Sequence, residues 1–189
     1  MRERIKEIVL ESIQVKEGLL KNNVSSILRI CEAIIEALKK GGKLIVFGNG
    51  GSAGDSQHIA AELVGRFKKD RRALPAISLT VNTSVITALA NDFGYEAVFA
   101  RQIEALGSRN DIVLGISTSG RAKNVAAGFR QAKKMGLKTI ALTGGDGGEL
   151  LKLADLSLVV PSCVTARVQE AHITIGHIIC EMIEENGLS

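Results

Sequence analysis

Beyond residue 42, five short apolar segments alternate with segments of helical periodicity, and this alternation limits the possible folds more than any other feature. The apolar segments predict strands at 43–47, 76–81, 111–117, 138–143 and 155–160. The segments between and after them predict helices at 56–67, 84–90, 95–106, 123–134, 149–153 and 165–185. Continuous apolar strands alternating with helices are typical of a parallel sheet covered on both faces. The sequence therefore predicts a three-layer α/β/α sandwich with a five-stranded parallel sheet of flavodoxin-like type.

The first 40 residues predict a long helical arm. Apolar residues recur every three or four positions, Gly18 or Asn22–Asn23 can break or bend the helix, and Gly41–Gly42 ends it. This arm carries more apolar surface than one sheet face needs, so we expect it to pack on another subunit. A length of 189 residues suits one domain. We predict a single domain over 1–189, with the arm at 1–40 and the α/β core at 41–189.

Composition narrows the functional class. No apolar run reaches the length of about 20 residues that spans a bilayer, and the first residues do not resemble a secretion signal. The net charge of +4 suits an anionic small molecule. One tyrosine and no tryptophan leave little surface for base stacking, so we expect no nucleic-acid binding, and we interpret the basic run 68–72 as a solvated loop.

The cysteines bear on the cellular compartment. Cys31, Cys163 and Cys180 show no paired spacing, so we predict buried, reduced thiols. Reduced thiols are typical of a cytoplasmic protein.

Three polar loops follow predicted strands, at the sheet edge where ligands bind in such folds. They span residues 48–55, 117–121 and 143–148. The loop 48–55 matches a variant of the dinucleotide fingerprint, G-x-G-x-x-A. However, the next strand ends at Val81–Asn82 without an acidic residue for a ribose, Asp70 lies within the charged run, and no Gly-Lys-Ser/Thr occurs. We therefore expect no nucleotide cofactor. A tight turn that needs positive φ is the alternative role for these glycines.

The loop Ser117–Arg121 is more informative. Three hydroxyl groups and several backbone N–H groups lie between a buried strand and the start of a helix, and this combination forms an anion cradle. Few cationic side chains are nearby, which suits a phosphomonoester better than a polyphosphate. Capping of the following helix by Ser119 is the alternative.

Two helices carry candidate site residues. His58 and Glu62 are four residues apart and share a helix face, either as a base with its orienting partner, as two metal ligands, or as an exposed pair. On the last helix, His172 and His177 lie about 140° apart at about 100° per residue. One site is therefore expected to use only one of them, and Gln169 is compatible with either.

Six segments taken together resemble the bacterial phosphoheptose isomerases, a family of SIS (sugar isomerase) domains. They occur in the same order and with similar spacing at Gly48–Ala53, His58–Leu63, Asn91–Gly94, Gly115–Gly120, Leu142–Gly148 and Ala166–His172. One departure is Ala122, where many relatives have a serine that contacts phosphate. Arg121 or Lys123 is the candidate to replace that contact.

The resemblance implies interconversion of D-sedoheptulose 7-phosphate and D-glycero-D-manno-heptose 7-phosphate, for the synthesis of heptose in cell-surface glycans such as lipopolysaccharide. It also implies a homotetramer with active sites at subunit interfaces and one Zn²⁺ per subunit. By the same resemblance, the acid/base residues are Glu62 and His177. The zinc ligands are His58, Glu62, Gln169 and His177. The phosphate contacts are Ser52, Ser117, Thr118 and Ser119, and further substrate contacts are Asn49, Gly50, Gly51, Asn91, Asp92 and Gln169.

Three alternatives remain at this point. The first is a non-catalytic SIS module that binds a sugar phosphate or the bacterial replication initiator. A related family binds that initiator, but it lacks the residues matching Glu62 and His177. Isomerisation of another phosphosugar is the second. A nicotinamide dehydrogenase is the third, and the missing acidic ribose ligand argues against it.

Overall fold

The computed structural model describes residues 1–186, and its elements follow the predicted alternation. The helices are α1 Arg2–Asn22, α2 Val24–Lys39, α3 Gly51–Val64, α4 Thr83–Phe93, α5 Val98–Leu106, α6 Lys123–Lys134, α7 Leu150–Leu153 and α8 Thr165–Glu185, with a 3₁₀ turn at Tyr95–Ala97. The strands are β1 Leu44–Gly48, β2 Ala76–Ser78, β3 Ile112–Ser117, β4 Lys138–Gly144 and β5 Leu156–Val160. The second strand is shorter than predicted.

The five strands form one parallel sheet in the order β2-β1-β3-β4-β5. This confirms the predicted fold class. The strand order changes direction between β1 and β3, where Gly48 pairs in register with Ile116. In open parallel sheets, the loops beyond such a switch point form the ligand crevice. The loops after Gly48 and Ser117 lie at this place.

Residues along each central strand alternate between two apolar cores. Val46 and Leu114 belong to the core under α2, α3 and α8. Ile45 and Val113 belong to the core under α5 and α6. Burial on both faces explains why the strands read as continuous apolar runs. The sheet is thereby a rigid support for the loops at its carboxyl edge.

The predicted arm consists of two helices that break at Asn23. The apolar face of α2 packs into the core beneath the sheet. In α1, only Leu19 is buried, and large apolar side chains stay exposed: Ile5, Ile8, Val9, Leu10 and Ile13. The surplus apolar surface of the arm is therefore concentrated on α1. Among residues 1–186, the helices are all too short or too polar to cross a membrane.

Two sequence-based expectations were each wrong at one residue. The basic run 68–72 is not simply solvated, because the Arg71 side chain is 1% exposed and forms an ion pair with Glu184. Cys163 is exposed, whereas Cys31 and Cys180 are buried. Burial raises the pKa of the Cys31 thiol to about 11 and that of Cys180 to about 12. The error about Arg71 concerns a contact between segments that are distant in the chain.

Candidate functional site

The site is built where α3 and α8 pack closely together. A side chain at Gly176 would lie 2.9 Å from the side chain of Ile59, so the glycine permits this close approach. A side chain at Gly51 would collide with the amide group of Gln169. The first turn of α3 therefore contacts the first half of α8. The glycine loop ends earlier than predicted, since α3 begins at Gly51 rather than near residue 56.

Packing of these helices brings two histidines and a carboxylate together. His58 Nε2 lies 2.9 Å from Glu62 Oε1, one turn along α3. His177 Nε2, from α8, lies 3.4 Å from His58 Nε2. The two imidazole rings have centroids 5.0 Å apart and meet edge to face. The exposed pair considered for His58 and Glu62 is thus a cluster of three residues from two helices.

The chemistry of this cluster suits a transition metal. One ligand atom from each of His58, Glu62 and His177 lies within 4.8 Å of the others. Two imidazoles and one carboxylate form a ligand set that zinc takes in catalytic sites, where a further position is left for water or substrate. The donor set therefore fits the zinc ion that the family resemblance implies.

The other histidine of α8 lies in a different environment. His172 is fully buried, and its Nε2 lies 3.2 Å from the backbone oxygen of Thr143. Burial lowers the pKa of His172 to about 4, although the hydrogen bond to Thr143 opposes this. A neutral imidazole held in the core cannot exchange protons with a ligand at the α3–α8 cluster. Helix geometry alone predicts this separation from His177.

The predicted phosphate loop lies at the carboxyl edge of the sheet. Ser117 ends β3 and is 7% exposed, while Ser119 is exposed to solvent. Ser52 is buried in the first turn of α3, which follows Gly50 with φ of 56°. A cavity of about 370 Å³ adjoins the loop and is lined in part by Thr118 and Ser119. Hydroxyl groups and a helix N-terminus are thus available to an anion at this edge.

The contacts of this loop bear on two expectations about it. Ser119 does not cap α6, because the capping position belongs to Ala122; instead, the Ser119 hydroxyl accepts a hydrogen bond from the Arg121 N–H at 3.2 Å. Arg121 also forms an ion pair with Asp146 at 2.5 Å, and Lys123 lies 3.1 Å from Glu96. Both cations form ion pairs at the surface, and replacement of the missing serine contact by either of them stays a prediction.

The glycine loop contains a polar network that includes predicted and unpredicted residues. Asn49 and Asn124 exchange two side-chain hydrogen bonds of 2.9 Å. Tyr95 donates its hydroxyl to Asn49 Oδ1 at 3.0 Å. Asn49 was predicted from sequence, whereas Asn124 and Tyr95 were missed. Asn124 and Tyr95 lie close in sequence to the motifs 117–121 and 91–94, and this proximity could have identified them.

Asn91 and Asp92 lie in the last turn of α4, and both are exposed. Asn91 Nδ2 donates a hydrogen bond to Asp92 Oδ1 at 2.8 Å. The structure therefore leaves both side chains accessible to a ligand or another subunit. Their role in substrate binding stays a prediction.

Asp55 is a further residue that sequence reasoning missed. It lies one turn before His58 on α3, and its Oδ2 is buried without a hydrogen-bond partner among the described residues. Burial raises the pKa of Asp55 to about 6, and the nearby His58 opposes this rise. Such raised pKa values occur often in functional sites. An aspartate in a polar glycine loop gives no sequence signal of its burial.

Comparison with known proteins identifies the family of the chain. The family model of the SIS domain matches residues 10–144. The chain is 51% identical to the phosphoheptose isomerase of Aquifex aeolicus, over 98% of this chain and 97% of that protein. The solved phosphoheptose isomerase of Neisseria gonorrhoeae has a TM-score of 0.93 and 40% identity, covering 97% of this chain and 98% of its own. That of Francisella tularensis has a TM-score of 0.94 and 38% identity, covering 97% of each chain. The chain therefore belongs to the phosphoheptose isomerase family of SIS-domain proteins.

Proposed function

We propose that the protein, acting as a single SIS domain over residues 1–189, interconverts D-sedoheptulose 7-phosphate and D-glycero-D-manno-heptose 7-phosphate. The observation that carries the proposal is the convergence of His58, Glu62 and His177 at the α3–α8 contact. Ketose–aldose isomerisation moves a proton between C1 and C2, and it needs a second group that exchanges protons with the oxygens. A carboxylate beside two imidazoles supplies both groups.

Each residue has a specific role in this proposal. Glu62 carries the carbon-bound proton between C1 and C2. His177 exchanges protons with the substrate oxygens, as imidazole does near neutral pH. Ser52, Ser117, Thr118 and Ser119 hold the phosphate, so that the far end of the sugar faces Glu62. Asn49, Gly50, Gly51, Asn91, Asp92 and Gln169 contact the rest of the sugar.

We further propose that one Zn²⁺ per subunit binds to His58, Glu62, Gln169 and His177. A bound zinc ion supplies Lewis-acid polarisation of the substrate carbonyl. The close spacing of three of these side chains supports the proposal. A glutamate that binds metal tightly is a weaker base, so the ligand and base roles of Glu62 compete.

The proposal extends to assembly and cellular role. We propose a homotetramer with active sites at subunit interfaces, supported by the exposed apolar side chains of α1. We also propose a cytoplasmic enzyme that feeds heptose into lipopolysaccharide or another cell-surface glycan. The free state of all three cysteines is consistent with that compartment.

The deciding experiment measures turnover of sedoheptulose 7-phosphate by the purified protein, before and after removal of metal with a chelator. We expect aldose product to form, activity to fall after chelation, and added Zn²⁺ to restore it. A folded, metal-loaded protein that binds the sugar phosphate without forming product would instead support the non-catalytic SIS module. Equal turnover before and after complete metal removal would leave Glu62 as a base without zinc.

A further inference from the structure

The loop that follows α3 folds around one buried carboxylate. The Glu184 side chain, in the last turn of α8, is 2% exposed. It accepts hydrogen bonds from the backbone N–H groups of Phe67 and Lys68 at 2.9 Å and of Lys69 at 3.0 Å. It also accepts one from Arg71 Nε at 3.0 Å. Glu184 therefore fixes the path of the loop 67–71.

Arg71 connects the same carboxylate to the end of α3. Its Nη2 donates to the backbone oxygen of Glu62 at 2.8 Å, and its Nη1 donates to that of Leu63 at 2.9 Å. The last carbonyl groups of a helix lack intrahelical donors, and a cation there also suits the helix dipole. Arg71 thus ties the backbone of Glu62 on α3 to Glu184 on α8.

Phe67 connects the loop 67–71 to His177 through a contact between their rings. Glu184 and His177 are seven residues apart, so they lie on the same face of α8, about two turns from each other. The Phe67 ring lies 5.5 Å from the His177 ring between centroids, with 30° between the ring planes. His177 also meets His58 edge to face. The imidazole of His177 therefore contacts the rings of both Phe67 and His58.

We infer that Phe67, Arg71 and Glu184 form a positioning assembly that sets Glu62 and His177 relative to one another for proton transfer. This inference rests on the proposed function, but its geometry does not depend on which sugar is the substrate. The three residues act through Glu62 and His177. The observation that carries the inference is that the residue bound through its backbone to Glu184, Phe67, also packs its ring against the His177 imidazole.

The kinetic test uses Phe67→Leu, which keeps an apolar side chain but removes the flat ring. We expect kcat to fall about tenfold while KM changes less than twofold, because the phosphate loop that binds substrate is not touched. Phe67→Tyr should restore kcat, since it restores the ring. Arg72→Gln is the matched control, because Arg72 is an exposed cation beside Arg71, and it should behave as wild type. Wild-type kcat in a folded Phe67→Leu protein would overturn the inference.

A second readout needs no turnover, and so it separates this inference from the proposed function. The ring signals of His177 and His172 are compared by NMR in metal-free wild type and in Glu184→Gln, which removes the carboxylate but keeps the size. We expect the His177 signal to shift or broaden while the signal of His172, buried against Thr143, stays in place. An unmoved His177 signal in a folded Glu184→Gln protein contradicts the inference. If that variant does not fold, Phe67→Leu and its Phe67→Tyr rescue decide the question. If the wild type shows no turnover, the proposed function fails while the NMR comparison still tests the positioning assembly.

Discussion

The Nε2 atom of His177 lies 3.4 Å from the Nε2 atom of His58, although the two residues are 119 positions apart in the chain. Imidazole nitrogens are common metal ligands, and this spacing allows both rings to bind one metal ion. The Glu62 carboxylate, which lies 2.9 Å from His58, offers a third ligand atom to the same ion.

The catalytic roles predict different results for three substitutions. Glu62→Gln keeps the size of the side chain but removes the base, so we expect kcat to fall by about 10²-fold or more while substrate still binds. His177→Gln should have a similar effect. His172→Gln is the matched control on the same helix, and we expect it to lower stability at most and to leave kcat nearly intact. Steady-state kinetics with sedoheptulose 7-phosphate measures all three. Wild-type turnover by purified Glu62→Gln would refute the assignment of the base.

The serine loop predicts the cost of removing phosphate contacts. Each hydroxyl that donates to a charged phosphate contributes about 1–2 kcal/mol to binding. Ser119→Ala should therefore weaken phosphosugar binding by that amount, and Ser117→Ala combined with it should weaken binding further. Calorimetric titration measures the affinity. Ser25→Ala, at an exposed position of α2, is the control. Unchanged affinity in the folded double variant would rule out this phosphate site.

The raised pKa of Asp55 predicts how stability depends on pH. A carboxyl group whose pKa rises from 3.8 to about 6 on folding stabilises the folded state below its unfolded pKa. That contribution is lost as the pH rises through about 6, because the buried group must then carry a charge. We expect Asp55→Asn to raise the melting temperature at pH 8 by about 2–4 °C, equivalent to about 1 kcal/mol after allowance for solvent screening.

Thermal unfolding of metal-free protein at pH 5 and pH 8 measures this effect. The advantage of Asp55→Asn over wild type should shrink at pH 5, where the wild-type carboxyl group is largely protonated. Asp70→Asn changes an exposed aspartate of the loop after α3 and should shift neither value. A gain of the same size at both pH values would show that titration of Asp55 is not its cause.

The apolar surface of α1 predicts an oligomer. Ile5 is 56% exposed and Val9 is 52% exposed in the single chain, and such contiguous apolar patches are typical of interaction surfaces. Light scattering should give a mass about four times the chain mass of 20.1 kDa. Ile5→Asp combined with Val9→Asp should lower this mass. Lys16→Asp, which changes an exposed polar position of the same helix, should leave it unchanged. A monomer at micromolar concentration in the wild type would exclude both the tetramer and active sites at its interfaces.

Local sequence patterns were sufficient to predict most of the fold. The apolar runs at 43–47 and 111–117 indicated buried parallel strands because each strand is covered on both faces. The spacing of four between His58 and Glu62 placed both on one helix face, and the spacing of five between His172 and His177 separated them. Each of these conclusions needs only the geometry of one helix or one strand.

Contacts between distant segments were decided by the tertiary structure alone. The approach of His177 to His58 depends on how closely α8 packs on α3. Gly176 and Gly51 permit this close packing because a larger side chain at either position would collide with the opposite helix. The burial of Arg71 against Glu184, 113 residues away, was likewise missed, and the charged run around Arg71 was interpreted as solvated. Periodicity shows which face of an element is apolar, but it does not show which element covers that face. For this reason the sequence by itself determined the strands, helices and candidate side chains, whereas helix packing decided how they meet.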